Sequence, residues 1–392
     1  MTRGADFVPV RHASPAAQGE TDAAAIDAAL VAMLGDAPFD GHRLDALAPD
    51  ALWYAAADHR VLPLVYERIA TREDVPATVR SRFRETATED AVTDLLREVE
   101  LKRLTSALFE AGVKPLLFKG SQLAYSHYPR PDLRVRVDSD LLIDLAERQR
   151  AHAVLSALDY VPKEGQMSGD LVIAQVLYVK RERGRVLHAV DLHWDVASPQ
   201  AFSGVLTYAE LAGRSVPLPA LGPYARGLSS VDALVMACVH RVAHHLDSGR
   251  LIWLYDIRLL ARGFSQGEWH RFLELITERR MLAVCVHSLA RTEALFPGTV
   301  PDWVWRESRV VAPTPGEVSA GYLTEQTQAR RTLHDLRALP GWRARLRLAQ
   351  QIVLPPESFM RTTYAPSSRA PLPVLYVLRL VRGAGRWMGL GA

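Results

Sequence analysis

Asp138 and Asp140 stand two residues apart in the alternating run "LRVRVDSDLLI". Side chains at i and i+2 of a strand share one face, so this spacing predicts that the two carboxylates project together. Two ionised acids held that close repel one another unless a proton or a cation lies between them. A divalent cation resolves the conflict, and hard oxygen ligands suit magnesium or manganese. An Asp-x-Asp pair alone is weak evidence, and its neighbours add to it. Upstream, Gly120 and Ser121 fall where a short apolar run gives way to a helix, a place where free backbone N–H groups and the helix dipole favour an anion. The glycine would let a phosphate approach the backbone, the serine hydroxyl would add a donor, and Lys119 could supply positive charge to a triphosphate or simply face solvent. Downstream, "HAVDLHWDV" sets Asp191, His193 and Asp195 on one face of a second strand. Asp191 would complete a set of three acids if this strand lies beside the one carrying Asp138; Asp195 reads as a solvated acid at the strand end.

These residues need elements to hold them. Residues 1–20 read as disordered, and 21–112 as helical: "DAAAIDAALVAMLG", then "PDALWYAAADHRVLPLVYERIA", then a long run from Val79 to Glu110. In that run Leu95, Leu96, Val99, Leu101, Leu104 and Leu108 recur at helical spacing, which predicts a buried stripe. The period changes at Gly112, a helix C-cap, after which "GVKPLLFKG" reads as a buried strand. Next come a short helix in "SQLAYSHY", broken by Pro129 and Pro131, the Asp-x-Asp strand, a helix from Leu145 to Leu158, and two alternating runs joined as a hairpin across Arg183 and Gly184. From Ser229, which resembles an N-cap with Asp232, the pattern is helical again. The expectation is an α+β chain in which a small mixed sheet, residues 113–215, sits between helical regions 21–112, 216–300 and 301–392.

A glycine-serine turn, an Asp-x-Asp strand and a third acid on a later strand together fit nucleotidyl transfer by two metal ions. One ion activates an acceptor hydroxyl, and the other holds the triphosphate and the pyrophosphate leaving group. Bulk composition is compatible with this. The 392 residues are 48% hydrophobic, enough for two or three packed units. The formal charge of +3 is discounted as a sign of nucleic-acid binding, because abundant arginine, five lysines and no asparagine are what a GC-rich coding sequence produces. Basic and aromatic residues are not interleaved, so nucleic acid is not an expected partner. Cys238 and Cys285 form neither a disulfide framework nor a ligand cluster, which fits a reducing cytoplasm. No window reaches the length of a membrane span. The stretch from Pro371 to Leu390 combines apolar residues with Arg379, Arg382 and Arg386; docking back onto the protein is the favoured reading, and an interfacial helix the weaker one, since "GAG" interrupts it.

The order "LLFKG", "YPRP", "R-x-x-x-D-x-D-L-L" and "VDLHW" closely resembles a bacterial family of uncharacterised nucleotidyltransferases in the DNA polymerase beta-like superfamily. The likeness runs from about residue 25 to 382, through "AADHRVLPLVYERI", "LFEAGVKPLLFKG", "HRVAHH", "WLYDIRLL" and "YVLRLVRG". It implies a mixed-sheet core with the glycine-serine turn gripping phosphate, Asp138 and Asp140 binding metal and Asp191 as third acid. It places Arg134 as a phosphate contact or an internal partner of the carboxylates. It also implies that the helix bearing His240 and His244 and the "WLYDI" segment pack on the catalytic face, where His240, His244 or Asp256 would touch nucleotide or acceptor. Two departures stand out: a longer interval from Gly120 to Asp138 than the superfamily signature, and Ser139 at a usually apolar position, facing away from the acids.

Other residues weigh less. His240 and His244 have zinc-compatible spacing, but Arg241 stands where a metalloprotease needs glutamate. A histidine bonded to Asp256 between two helices explains them equally well, and His59 reads as structural. The leading function is transfer of a nucleoside monophosphate from an NTP to a hydroxyl of a small-molecule, peptide or protein acceptor. The alternatives are a degenerate nucleotide-binding or scaffolding module, and a DxD glycosyltransferase, which ranks low because helices replace the expected Rossmann-like half.

Overall fold

The computed structural model describes residues 19–167, 169–310, 317–324, 328–364 and 370–387. Helices α1 (Gly19–Leu34), α2 (Pro49–Asp58), α3 (Leu62–Ile69) and α4 (Ala77–Glu110) come first. The run containing α2 and α3 is broken because Arg60 takes a left-handed backbone (φ 56°) and Pro63 opens the new helix. Helix α4 has 34 residues, about 50 Å of rise. It ends as expected at Gly112 (φ 78°), where Val113 N donates to Leu108 O at 2.9 Å. Its stripe is only half covered: Leu101, Leu104 and Leu108 are buried, but Leu95, Leu96 and Val99 are exposed. The sheet reaches only the last turns of the helix, so periodicity alone overestimates burial here.

Next come β1 (Leu116–Leu117), α5 (Lys119–Ser126), β2 (Ser139–Leu142), α6 (Arg148–Ala157), β3 (Tyr160–Pro162), β4 (Gln175–Glu182) and β5 (Arg185–His193). After them lie α7 (Tyr208–Gly213), β6 (Val216–Pro217) and β7 (Arg226–Gly227). The seven strands form one mixed sheet in the order β3-β4-β5-β2-β1-β7-β6, so the chain is α+β as expected. Strands β4 and β5 are the anticipated hairpin, with Arg183 (φ 48°) and Gly184 (φ 81°) as its two left-handed turn residues. Strands β3, β6 and β7, two or three residues each, carry too little pattern to be read from sequence. Strand β2 is shorter than its alternating run, and Asp138 lies in the bend before it.

Alternation along the strands divides the interior in two. Leu117, Leu141, Ile143, Val190 and Leu192 pack on one face with Leu104 and Leu108 of α4 and Leu155 of α6. Leu116, Phe118 and Leu142 point to the other face, into a larger core shared by the helices before and after the sheet. Asp140 and Asp191 lie on this second face. Covering it are α8 (Ser230–Ala243), α9 (Leu251–Arg262), α10 (Gln266–Glu278) and α11 (Leu282–Leu295). Ser229 caps α8 by accepting from Asp232 N, as its sequence suggested. Buried Gln122 of α5 locks α8 to the sheet through both backbone groups of Leu228, at 2.7 and 2.9 Å. Cys238 and Cys285 are free and buried.

The remaining helices are α12 (Asp302–Val310), α13 (Gly321–Thr324), α14 (Gln328–Ala338), α15 (Gly341–Val353), α16 (Glu357–Tyr364) and α17 (Leu372–Trp387). The "GAG" stretch does not interrupt α17. Among the described residues, no helix is long and apolar enough to cross a membrane.

Candidate active site

Parallel pairing of β2 and β5 puts Asp140 directly opposite Asp191, and period-two alternation puts His193 on the same face. His193 Nε2 lies 3.3 Å from Asp140 Oδ1 and 3.1 Å from Asp191 Oδ2. One ligand atom from each of Asp140, Asp191 and His193 falls within 4.8 Å of the others, a group able to hold a metal ion. Asp191 accepts from Gln175 Nε2 at 2.6 Å through Oδ2, while its buried Oδ1 has no partner among the described residues. A buried carboxylate oxygen without a donor is costly unless a cation satisfies it. The donor set of two carboxylates and an imidazole therefore fits a divalent cation.

Lys119 shares this centre. Its Nζ donates to Asp140 Oδ1 at 2.8 Å and stands 3.4 Å from His193 Nε2. Burial alone would raise the Asp140 carboxyl, but Lys119 and His193 outweigh it and hold the group well below the usual carboxylate range. For His193, burial and the lysine charge oppose protonation, while Asp191 and Asp140 favour it; the carboxylates prevail and its pKa is raised. Asp138 makes no hydrogen bond or ion pair with a described residue and lies outside the three-residue group. Burial, reinforced by the negative charges of Asp140 and Asp191, pushes its carboxyl up to about 7.

Around the α5 N-terminus, where the sequence suggested a phosphate site, the contacts differ in detail from that reading. Gly120 lines the cavity, but the space a Cβ would fill there is taken by Arg134, whose Cζ would be 3.0 Å away. Ser121 is buried, and its hydroxyl accepts from Asp140 N at 2.8 Å, so it fastens the α5 N-terminus to the strand carrying the acid. Arg134 is an internal partner, though not of Asp138, Asp140 or Asp191: it grips Asp256 of α9 through Nε at 2.8 Å and Nη2 at 2.7 Å. Tyr128 OH donates to the same carboxylate at 2.7 Å. Asp256 is therefore bonded to Arg134 and Tyr128, and the expected histidine lock to Asp256 does not form.

His240 and His244 lie on the cavity wall beside Asp256, lining the same cavity as Asp138, Asp140 and Asp191. His240 pairs with His245 (Nε2 to Nε2, 2.9 Å), and His245 stacks on Trp253 with centroids 3.7 Å apart. Burial keeps all three imidazoles neutral: His240 well below its ordinary value, His244 pushed down to about 3 and His245 to about 4. The buried Nδ1 of His240 and Nε2 of His244 have no partner among the described residues. His59 is structural, accepting from Leu251 N and facing Asp27 at 3.2 Å. Asp195 is a loop clasp, accepting from Ser203 at 2.6 Å and from Val196 N at 2.7 Å.

The result is a cavity of about 340 Å³ with acids on its floor and histidines on the opposite wall. Sequence reasoning missed four of its polar lining residues: Arg60, Arg136, Gln175 and His245. Arg136 is paired with buried Asp94 of α4, yet its Nε and Nη1 have no partner among the described residues. Its position two residues before Asp138 was the available signal. Nothing local marks Arg60, which arrives from the α2–α3 junction. Comparison with curated proteins finds no match. The model of a family described as uncharacterised nucleotidyltransferase matches residues 45–297, well over half the chain, and the protein belongs to that family.

Proposed function

We propose that this cavity transfers a nucleoside monophosphate from an NTP to a hydroxyl of a small-molecule, peptide or protein acceptor, releasing pyrophosphate. The observation that carries this reading is the unpartnered Asp191 Oδ1 beside Asp140 and His193. Magnesium or manganese held there would lower the pKa of the attacking hydroxyl and screen the phosphate charge, and a second ion would use Asp138 as well. Asp140 and Asp191 would supply the ligand oxygens, held in place by Ser121 and Gln175. Burial and the neighbouring acids push the Asp138 carboxyl up to about 7, and a cation bound beside it would favour the deprotonated form. Lys119, Arg60 and Arg136 line the cavity with positive charge for a triphosphate, and the α5 N-terminus at Gly120 adds backbone donors.

The test is incubation with magnesium and each α-labelled NTP, with and without lysate, scoring label on acceptor and released pyrophosphate. Transfer should fall about a thousandfold or more in Asp140→Asn and Asp191→Asn, with folding retained. Transfer that survives both substitutions would sink the assignment. NTP binding without transfer to any acceptor would instead favour a nucleotide-binding module.

A further inference from the structure

Helices α15 and α17 depart from the usual pattern of surface helices, in which the outward face is polar, by exposing several large apolar side chains. Leu348 of α15 and Leu375 of α17 are buried, Leu375 against Met360 of α16. Tyr376 and Arg379 fasten α17 down, donating to Pro355 O at 2.7 Å and Ile352 O at 2.8 Å. Large apolar side chains face outward: Trp342 and Leu346 on α15, set among exposed Arg343, Arg345 and Arg347, are 69% and 61% exposed, and Val377 and Val381 on α17 are 60% and 69% exposed. Val377 and Val381 fall one helical turn apart, on a face that no described residue covers.

Charge is segregated with this surface. Residues 328–387 hold eleven arginines and two acids, net +9, while the chain as a whole is only +3. The other residues therefore carry 36 basic against 42 acidic groups, net −6. Arg382 is exposed on α17 beside Val381, and Arg343 lies over the Trp342 ring, 5.5 Å from its centroid.

We infer that α15 and α17 form a docking surface for an anionic lipid bilayer, with Trp342, Leu346, Val377 and Val381 entering the interface and arginines meeting lipid phosphates. Each part of the chemistry favours this occupant. Aliphatic residues and a tryptophan gain by leaving water for the headgroup boundary, and net positive charge is drawn to an anionic leaflet. A second copy of the same surface would bring two helices that hold six arginines and no acid against their like, a pairing that charge opposes. Single-stranded RNA calls for stacking platforms, whereas this face is largely aliphatic.

Co-sedimentation of the full chain with vesicles tests it. Phosphatidylcholine vesicles with about a third phosphatidylglycerol should pellet the protein about tenfold better than pure phosphatidylcholine, an advantage that high salt removes. The double variant Val377→Asp/Val381→Asp should lose most of this binding, with its thermal melting unchanged. Trp342→Ser, on a different helix, should weaken binding independently, so a folding defect in one variant leaves the other to decide. The inference fails if anionic vesicles show no advantage, or if both variants sediment as the parent does. It fails also if the aspartates abolish retention on polyuridine or dissolve a dimer while no vesicle binding exists.

Discussion

Lys119 sits at the entrance to α5 with a left-handed backbone (φ 53°) that side chains other than glycine rarely adopt. Its ammonium is held on Asp140 at 2.8 Å and lies 4.6 Å from the Phe118 ring centroid. Such local strain persists only where surrounding contacts enforce it, and it clusters at functional sites. Lys119→Gly should relieve the backbone cost and remove the charge together. Unfolding stability is expected to stay within about 1 kcal/mol of the parent or rise, while NTP binding weakens; denaturant titration beside nucleotide calorimetry reads both. A large loss of stability would mean that Lys119 is chiefly a structural counter-ion for Asp140.

A chain of buried polar groups crosses the sheet behind the site. Ser139 Oγ lies 2.8 Å from His188 Nε2, and His188 Nδ1 lies 2.6 Å from Tyr160 OH. Tyr160 OH donates to Glu100 at 3.2 Å, as Lys180 does at 2.8 Å, so the last turns of α4 are tied to β2, β3, β4 and β5. Ser139 faces away from the acids as its sequence position implied, but it makes a hydrogen bond there in addition to filling space. Burial, with Arg97, Arg136 and Lys180 adding to it, pushes His188 down to about 3. Its folded pKa lies below the ordinary value of 6.5, so between pH 6.5 and 3 the unfolded chain binds the extra proton. Stability from this group is complete above 6.5 and is lost as pH falls, by up to about 1.4 kcal/mol per pH unit. Urea titrations from pH 7 to 4.5 should show a shallower slope for His188→Gln than for the parent. Equal slopes would mean that His188 is not held neutral.

Across the whole molecule, the Arg134–Asp256 pair joins the loop before β2 to α9, and both side chains are almost fully enclosed. Burial opposes the charge on Arg134, yet Asp256 outweighs it and raises the guanidinium pKa. Asp256→Ala would leave a buried cation and the Tyr128 hydroxyl unpartnered, at a cost of about 3–5 kcal/mol, whereas replacing both partners with apolar residues should cost less. Denaturant titrations of Asp256→Ala and Arg134→Met/Asp256→Leu measure this. If the double variant is as unstable as the single one, a packing role for the pair outweighs the uncompensated charge. Because Gly120 leaves the room that Arg134 occupies, this clamp also sets the floor of the candidate nucleotide site.

The local pattern of residues determined much of this protein. Alternation in "VDLHW" placed Asp191 and His193 on one face, Arg183 and Gly184 made a hairpin turn, Gly112 ended α4, and Ser229 began α8. These are short-range effects of backbone sterics and hydrogen bonding, visible within a few residues. Only the tertiary structure decided which strand lies beside which, and so that Asp140 faces Asp191, that Arg134 belongs to Asp256, and that Ser121 supports a strand. It also showed Leu95 and Val99 exposed on a helix whose spacing predicted their burial. Partners on separate elements leave no local trace, because a buried charge or an apolar face takes its meaning from whatever packs against it.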